Sequence, residues 1–243
     1  ASPELAGRVA GEPGALAALI AALATDDPTA VNSVNVVGKI ALASPELGRR
    51  VAEEPGAFPA LIAAVAAGSA TAAADLQHAA MNSAGVLYGI TEAGPEFARR
   101  IAEQQSALPT LVAAVAAGRA AAERGLQSAT ARCAFVLAQI AAISPELALR
   151  VVEEPGALPV LIAVVAAGST EATSGWPGPA GSCALVLANI ASSSPGLTQG
   201  VAEAEGALPA LIAVVASGND AATNCAQALG CIAGADPALL QRV

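Results

Sequence analysis

Residues 144–168 read SPELALRVVEEPGALPVLIAVVAAG, and close variants of this stretch occur throughout the chain. Ser-Pro-Glu-Leu stands at 2–5, 44–47 and 144–147, with Gly94-Pro95-Glu96-Phe97 and Ser194-Pro195-Gly196-Leu197 as variants. The prolines Pro3, Pro45, Pro95, Pro145, Pro195 and Pro237 are 42, 50, 50, 50 and 42 residues apart. Self-similarity at a period of this length marks a repeat architecture. The spacing predicts copies at 2–43, 44–93, 94–143, 144–193 and 194–235, and the start of a sixth at 236–243.

Each copy reads as three helices. Ser2, Ser44, Ser144 and Ser194 are natural N-caps, and the proline after each suits the first helical position, where its missing N–H costs nothing. Leu5 and Val9, Leu47 and Val51, Phe97 and Ile101, Leu147 and Val151, and Leu197 and Val201 are four apart and share a helix face. The second helix follows a turn such as Glu54-Pro55-Gly56-Ala57. Its apolar stripe is Leu61, Ile62 and Val65, repeated as Leu161, Ile162 and Val165 and as Leu211, Ile212 and Val215. Gly68, Gly118, Gly168 and Gly218 are expected to stop it from a left-handed position. The third helix ends near Ile40, Ile90, Ile140, Ile190 and Ile232, and its stripe continues backwards through Val37, Leu87, Leu137, Leu187 and Leu229 and through Val36, Val86, Val136, Val186 and Ala228. One copy cannot bury such stripes alone, so the copies are expected to stack as one domain over residues 1–243.

Composition agrees. The 243 residues are 55% hydrophobic but only 2% aromatic. Small aliphatic residues favour closely packed helices and few aromatics argue against a large sheet. A net charge of −9 repels phosphate backbones, so nucleic acid is not an expected partner. The pairs Arg49–Arg50 and Arg99–Arg100 sit beside glutamates and read as solvated helix faces. Mean hydropathy is +0.60, but the apolar runs, such as 158–167, are half the ~20 residues that span a bilayer. No secretory leader is visible, and the start at Ala1 suggests a processed or excised chain.

Cys133, Cys183 and Cys225 share one repeat position with Ser33 and Ser83, and Cys231 is the fourth cysteine. That pattern reads as a small buried side chain, not a disulfide or a metal site, and implies a reducing, cytoplasmic setting. His78 is the only histidine; with Asp75 it reads as solvated or packing. No phosphate loop, zinc motif or nucleophile elbow occurs, so no catalytic residue, metal or cofactor is expected.

The stretches Gly156-Ala157-Leu158-Pro159-Val160-Leu161-Ile162 and Ala184-Leu185-Val186-Leu187-Ala188-Asn189-Ile190 resemble the armadillo repeat. So do residues 206–212 and the Ser-Pro-Glu-Leu openings; two-helix HEAT repeats are the near alternative. The resemblance covers essentially the whole chain. It implies an all-α, right-handed α-solenoid of three-helix repeats, whose third helices line a concave groove that binds extended peptides or proteins.

Two departures from the family pattern stand out. Second-helix and third-helix anchors are 20 residues apart for Ile20–Ile40 and Ile212–Ile232, but 28 apart for Ile62–Ile90, Val112–Ile140 and Ile162–Ile190. The three central copies are therefore enlarged by eight residues, about two helical turns. An extra turn on each helix is expected in copies two and three, and an irregular loop at Gly175-Trp176-Pro177-Gly178-Pro179 in copy four. The second departure is in the groove. Peptide-binding members of the family use a recurring Asn with a Trp one turn before it. The Asn position falls on Lys39, Gly89, Gln139, Asn189 and Cys231, and the Trp position on Asn35, Gly85, Phe135, Leu185 and Gln227. Only Asn189 matches, which argues against basic-peptide recognition of the nuclear-import kind.

One turn earlier stand Asn32, Asn82, Arg132, Ser182 and Asn224. An asparagine ladder can grip a peptide backbone, since each amide both donates and accepts; helix capping is the plainer reading. Arg132, Phe135 and Gln139 form a central cluster, and Trp176 is a loop anchor or packs onto its own chain. The expected partner-binding set is Asn32, Asn35, Lys39, Asn82, Arg132, Phe135, Gln139, Asn189, Asn224 and Gln227. The sequence thus points to a non-catalytic scaffold for a protein or peptide. The alternative is a structural subunit that self-associates or joins a larger assembly.

Overall fold

The computed structural model describes residues 2–23, 28–71, 73–122, 129–168 and 178–235. Trp176, most of the loop around it, and the partial copy at 236–243 lie outside the described residues. Regular structure in the described residues is helical throughout. Copy one gives α1 (Pro3–Gly11), α2 (Ala15–Leu23) and α3 (Pro28–Ala41); copy two gives α4 (Pro45–Glu53), α5 (Ala57–Ser69) and α6 (Ala74–Glu92). Copy three gives α7 (Pro95–Ala102), α8 (Ala107–Ala122) and α9 (Thr130–Ala141), and copy four gives α10 (Pro145–Glu153), α11 (Ala157–Ala167) and α12 (Pro179–Ser193). Copy five gives α13 (Pro195–Glu203), α14 (Ala207–Ser217) and α15 (Ala222–Ala235). The chain divides into two compact units, Ala1–Val136 and Leu137–Val243, with the boundary inside α9.

Local chemistry sets each helix start. Ser44, Ser144 and Ser194 are extended, and their hydroxyls accept the amide N–H of Leu47, Leu147 and Leu197 at 3.3, 3.4 and 3.4 Å. The proline follows at the first helical position in each case. First and second helices meet at nearly a right angle, 92° between α1 and α2 and 84° between α13 and α14. Gly14, Gly56, Gly156 and Gly206 make that corner with φ of 75–81°, which a side chain at Cβ would strain.

Within the first unit α2 packs on α5, α5 on α8, and α3 on α6, while α4 leans on both α3 and α6. Within the second unit α11 packs on α14 and α12 on α15, with α13 against both third helices. Second and third helices thus lie on their counterparts in a neighbouring copy, while the first helices α4 and α13 pack on third helices. Leu87, Leu137, Leu187, Ile90, Ile140 and Ile190 are wholly buried.

The outermost described copies show which way each stripe faces. Val36 is 36% exposed, whereas Val86, Val136 and Val186 are fully buried, so this position faces the preceding copy. Leu229 is half-buried, whereas Val37 and Leu87 are fully buried, so the next position faces the following copy. The predicted burial of Leu5 and Val9 does not hold: they are 58% and 42% exposed, while Val51, Ile101, Val151 and Val201 are sealed. Val215 likewise departs from the buried stripe of Val65 and Val165. These side chains have the right chemistry and no neighbouring copy among the described residues to cover them.

The expected glycine stops hold at two of four positions. Gly168 and Gly218 end α11 and α14 with φ of 59° and 63°. Gly68 and Gly118 do not stop a helix; both lie inside one. A Cβ on Gly68 would lie 2.1 Å from the Leu76 carbonyl oxygen and 2.5 Å from Ala80 Cβ. Gly68 therefore lets α5 and α6 touch along their backbones, and the helix runs on. The enlarged spacing appears as longer helices of unequal share. In copy two α6 has 19 residues against 14 in α3 and α15, and α5 has 13 against 11 in α14. In copy three α8 has 16 residues and α9 has 12, and residues 123–128 between them lie outside the described residues.

Candidate binding face on the third helices

On α3, Asn32, Asn35 and Lys39 recur at helical spacing and are exposed together. On α6 the same face carries Asn82, Gly85, Tyr88 and Gly89, and on α9 it carries Arg132 and Phe135. These helices are cross-linked by polar side chains. The Asn82 amide donates to the Asn35 side-chain oxygen. Arg132 Nη1 donates to the Met81 carbonyl at 2.8 Å.

The second unit repeats the device. Asn189 Nδ2 donates to the Ala138 carbonyl at 2.9 Å, and Asn224 Nδ2 donates to the Gly181 carbonyl at 2.9 Å. Gln139 is half-buried beside them, and Gln227 is exposed on the last third helix. The asparagines are thus neither end caps nor a row of wholly idle amides. Asn82, Asn189 and Asn224 each reach back to the preceding third helix, whereas Asn32 and Asn35 stand on the first of them.

Comparison with known proteins bears on these stacked three-helix copies. No protein-family model and no curated protein matches the sequence. Solved structures do match. A designed armadillo repeat protein aligns with TM-score 0.72 and 22% identity over 95% of this chain and 87% of its own. A second, a designed armadillo repeat protein in complex with the peptide (KR)4, gives the same figures. A computationally designed armadillo repeat protein for modular peptide recognition gives TM-score 0.71 and 22% identity over 94% and 90%.

This chain has the armadillo-repeat fold. The two departures from the armadillo groove pattern in copy two now have physical causes. At Gly89, in the Asn position, a Cβ would come within 2.6 Å of Leu42 Cδ2. At Gly85, in the Trp position, a Cβ would meet Arg132 Cδ, Cζ and Nε at 3.4–3.5 Å. The Leu42 side chain crowds the first position, and Arg132 lies in ordinary contact over the second. Asn189, the one match to the armadillo asparagine, serves as a latch between copies.

Tyr88 was missed by the sequence reading. It stands where the other copies have Gly38, Ala138, Ala188 and Gly230, so its position alone gave a signal. Its ring meets Phe135 edge-on, with centroids 4.7 Å apart and planes at 71°. Burial and the nearby Glu92 push its phenol above the ordinary range. Burial also lowers the Arg132 pKa.

One arginine of each pair does more than face solvent, which corrects the first reading for Arg50 and Arg100. Arg50 donates to the Ala10 carbonyl and Arg100 to the Ala52 carbonyl at 3.1 Å, each at the C-terminal end of the preceding first helix. A guanidinium there satisfies an orphan carbonyl and complements the helix dipole. Arg100 also lies over the Phe58 ring at 5.0 Å. Arg49 pairs with Glu96 at 3.7 Å, both more than half exposed.

Cys133, Cys183 and Cys225 are buried and none of the four cysteines is in a disulfide. Burial raises all three thiols, Cys133 to about 12 and Cys225 to about 11. Ser83, at the same position, is wholly buried with no hydrogen-bond partner for its hydroxyl. Among the described residues no three His, Cys, Asp or Glu side chains gather as a metal site requires, and no single helix is long and apolar enough to cross a membrane. Two clefts lie between successive second helices of the first unit. One of about 620 Å³ has Ile20, Pro59 and Ala63 in its walls, and one of about 360 Å³ has Ile62, Gln105 and Thr110.

Proposed function

We propose that this chain is a non-catalytic scaffold that holds an extended segment of a partner protein across its third helices. The observation that carries the reading is the set of latched amides. Each latch uses one N–H of its asparagine. The other N–H and the oxygen of Asn82, Asn189 and Asn224 have no partner among the described residues. A peptide bond offers the complementary C=O and N–H, and an amide already held in register loses little freedom on binding it. Support comes from the similar solved structures, one of which holds a peptide and another of which is described as made for peptide recognition.

The test is binding of a labelled library of extended peptides to the full chain by fluorescence anisotropy, repeated with Asn189→Ala and Asn224→Ala. Loss of about tenfold in affinity per asparagine, or about 1.4 kcal/mol, is expected. Binding indifferent to both substitutions, in folded protein, contradicts the reading.

A second reading is favoured by Leu5 and Val9, exposed where later copies bury the same positions. They suit cover by another helical surface, as in a structural subunit or self-associating element. Light scattering at rising concentration checks this: a mass constant at one chain argues against it.

A further inference from the structure

The third helices of the first unit carry an apolar band that the stacking of copies does not require. Tyr88 stands where the other copies have Gly38, Ala138, Ala188 and Gly230, and Phe135 where they have Asn35, Gly85, Leu185 and Gln227. Copies therefore pack with no ring at either position. Both rings are only half-buried, and they meet edge-on, so each holds the other's orientation. Leu42 extends the band. It follows the last residue of α3, its N–H donates to the Gly38 carbonyl at 3.0 Å, and it is 53% exposed. Its side chain rests over Gly89, the residue next to Tyr88. The repeat-equivalents of Leu42 are Glu92, Ala142, Ser192 and Gly234, so no other copy presents a large apolar group there.

What the band can hold follows from its neighbours. Asn82 stands six residues before Tyr88 on α6, about 9 Å along the helix, so a segment gripped by that amide passes close to the rings. Alternate side chains of an extended segment point to one side, about 7 Å apart. That is on the order of the gap between a group resting on Gly89 and rings that start from Tyr88 and Phe135. Rigid rings give contact area at little cost in freedom. Fixed charges of both signs border the band. Lys39 is one turn before Leu42, Arg132 one turn before Phe135, and Glu92 one turn after Tyr88. Neither a carboxylate nor an ammonium is therefore favoured there over an uncharged apolar group.

We propose that this band anchors the held segment: one large aliphatic side chain seats on Tyr88 and Phe135, and a second, two residues along the segment, seats against Leu42. This rests on the scaffold reading and names the chemistry of its ligand.

The experiment titrates the full chain with four fluorescent twelve-residue peptides of otherwise uncharged polar sequence. Two central residues, two apart, are both leucine, both alanine, both aspartate or both lysine. The leucine peptide is expected to bind about tenfold tighter than the alanine peptide, and tighter than either charged one. Tyr88→Ala installs the residue that copies three and four carry, and Leu42→Ser changes an exposed side chain, so both are expected to leave the stacking intact. Each should remove most of the leucine preference, whereas Tyr88→Phe, which keeps the ring, should retain it. A leucine peptide no tighter than the alanine one, a preference for lysine or aspartate, or a leucine preference unmoved by Tyr88→Ala or by Leu42→Ser, overturns the anchor assignment. Binding that still weakens on Asn189→Ala then leaves the scaffold reading standing. Failure of every peptide to bind overturns both.

Discussion

The second helices of copies two and four both end in Val-Ala-Ala-Gly-Ser, at 65–69 and 165–169, yet the chain treats them differently. In copy two the helix passes through Gly68 to Ser69. In copy four it stops at Ala167, and Gly168 turns left-handed at φ 59°. Five identical residues cannot carry the difference. In copy two the backbone of α6 lies against Gly68, and a helix supported along that side has reason to continue. Around Gly168 a Cβ would meet nothing within 4 Å among the described residues. Position in the repeat thus sets which residue types are tolerated, and the neighbouring segment decides what the residue does.

Three pairs of repeat-equivalent residues, and one pair of cysteines at different positions, put that lesson at risk. Leu137 is fully buried and Leu229, at the same position, is half-buried. Leu137→Ala should cost about 2–5 kcal/mol in urea unfolding, and Leu229→Ala about half as much. Equal losses would mean that the outermost copy is covered as the inner ones are. Gly68→Ala forces a Cβ into the Leu76 carbonyl and should cost about 3 kcal/mol. Gly168→Ala meets only left-handed strain and should cost about 1 kcal/mol. Matching values there would remove the distinction drawn above.

Ser83 and Cys183 are the third pair. Ser83→Cys replaces an unpartnered buried hydroxyl by the thiol found in other copies, and should stabilise by about 1 kcal/mol. A loss of stability would show that the hydroxyl is satisfied in solution. The smallest effect to measure is chemical. With the Cys133 thiol raised to about 12, about one molecule in ten thousand carries the thiolate at pH 8, and reactivity should grow as pH rises toward that value. Half-buried Cys231 should therefore take up an alkylating agent first, read by peptide mass, and Cys133 only after unfolding.

Much of the architecture was legible because a repeat states each signal several times. Ser-Pro starts, Gly corners and the Ile90-type anchors agree across copies, so chance errors at one copy are outvoted. What one copy does alone was not legible. The sequence gives no sign that Leu5 and Val9 lack a cover, since their spacing equals that of Leu47 and Val51. The binding face was half legible. Helical spacing grouped Asn32, Asn35 and Lys39 correctly, but the reach of Asn82 or Asn224 to a carbonyl more than 40 residues away depends on stacking. Arg50 and Arg100 were read as solvated for the same reason: their acceptors lie in another copy. Tyr88 carries no repeat signal, since the other copies have Gly or Ala at its position, and its contact with Phe135 is set by stacking.

Hydrogen–deuterium exchange on the full chain, with and without a saturating bound peptide, tests the central claim most directly. The account predicts added protection on the third helices around residues 82–89 and 185–189, with the second helices unchanged. Protection confined to the second helices, at the clefts beside Pro59 and Thr110, would contradict it.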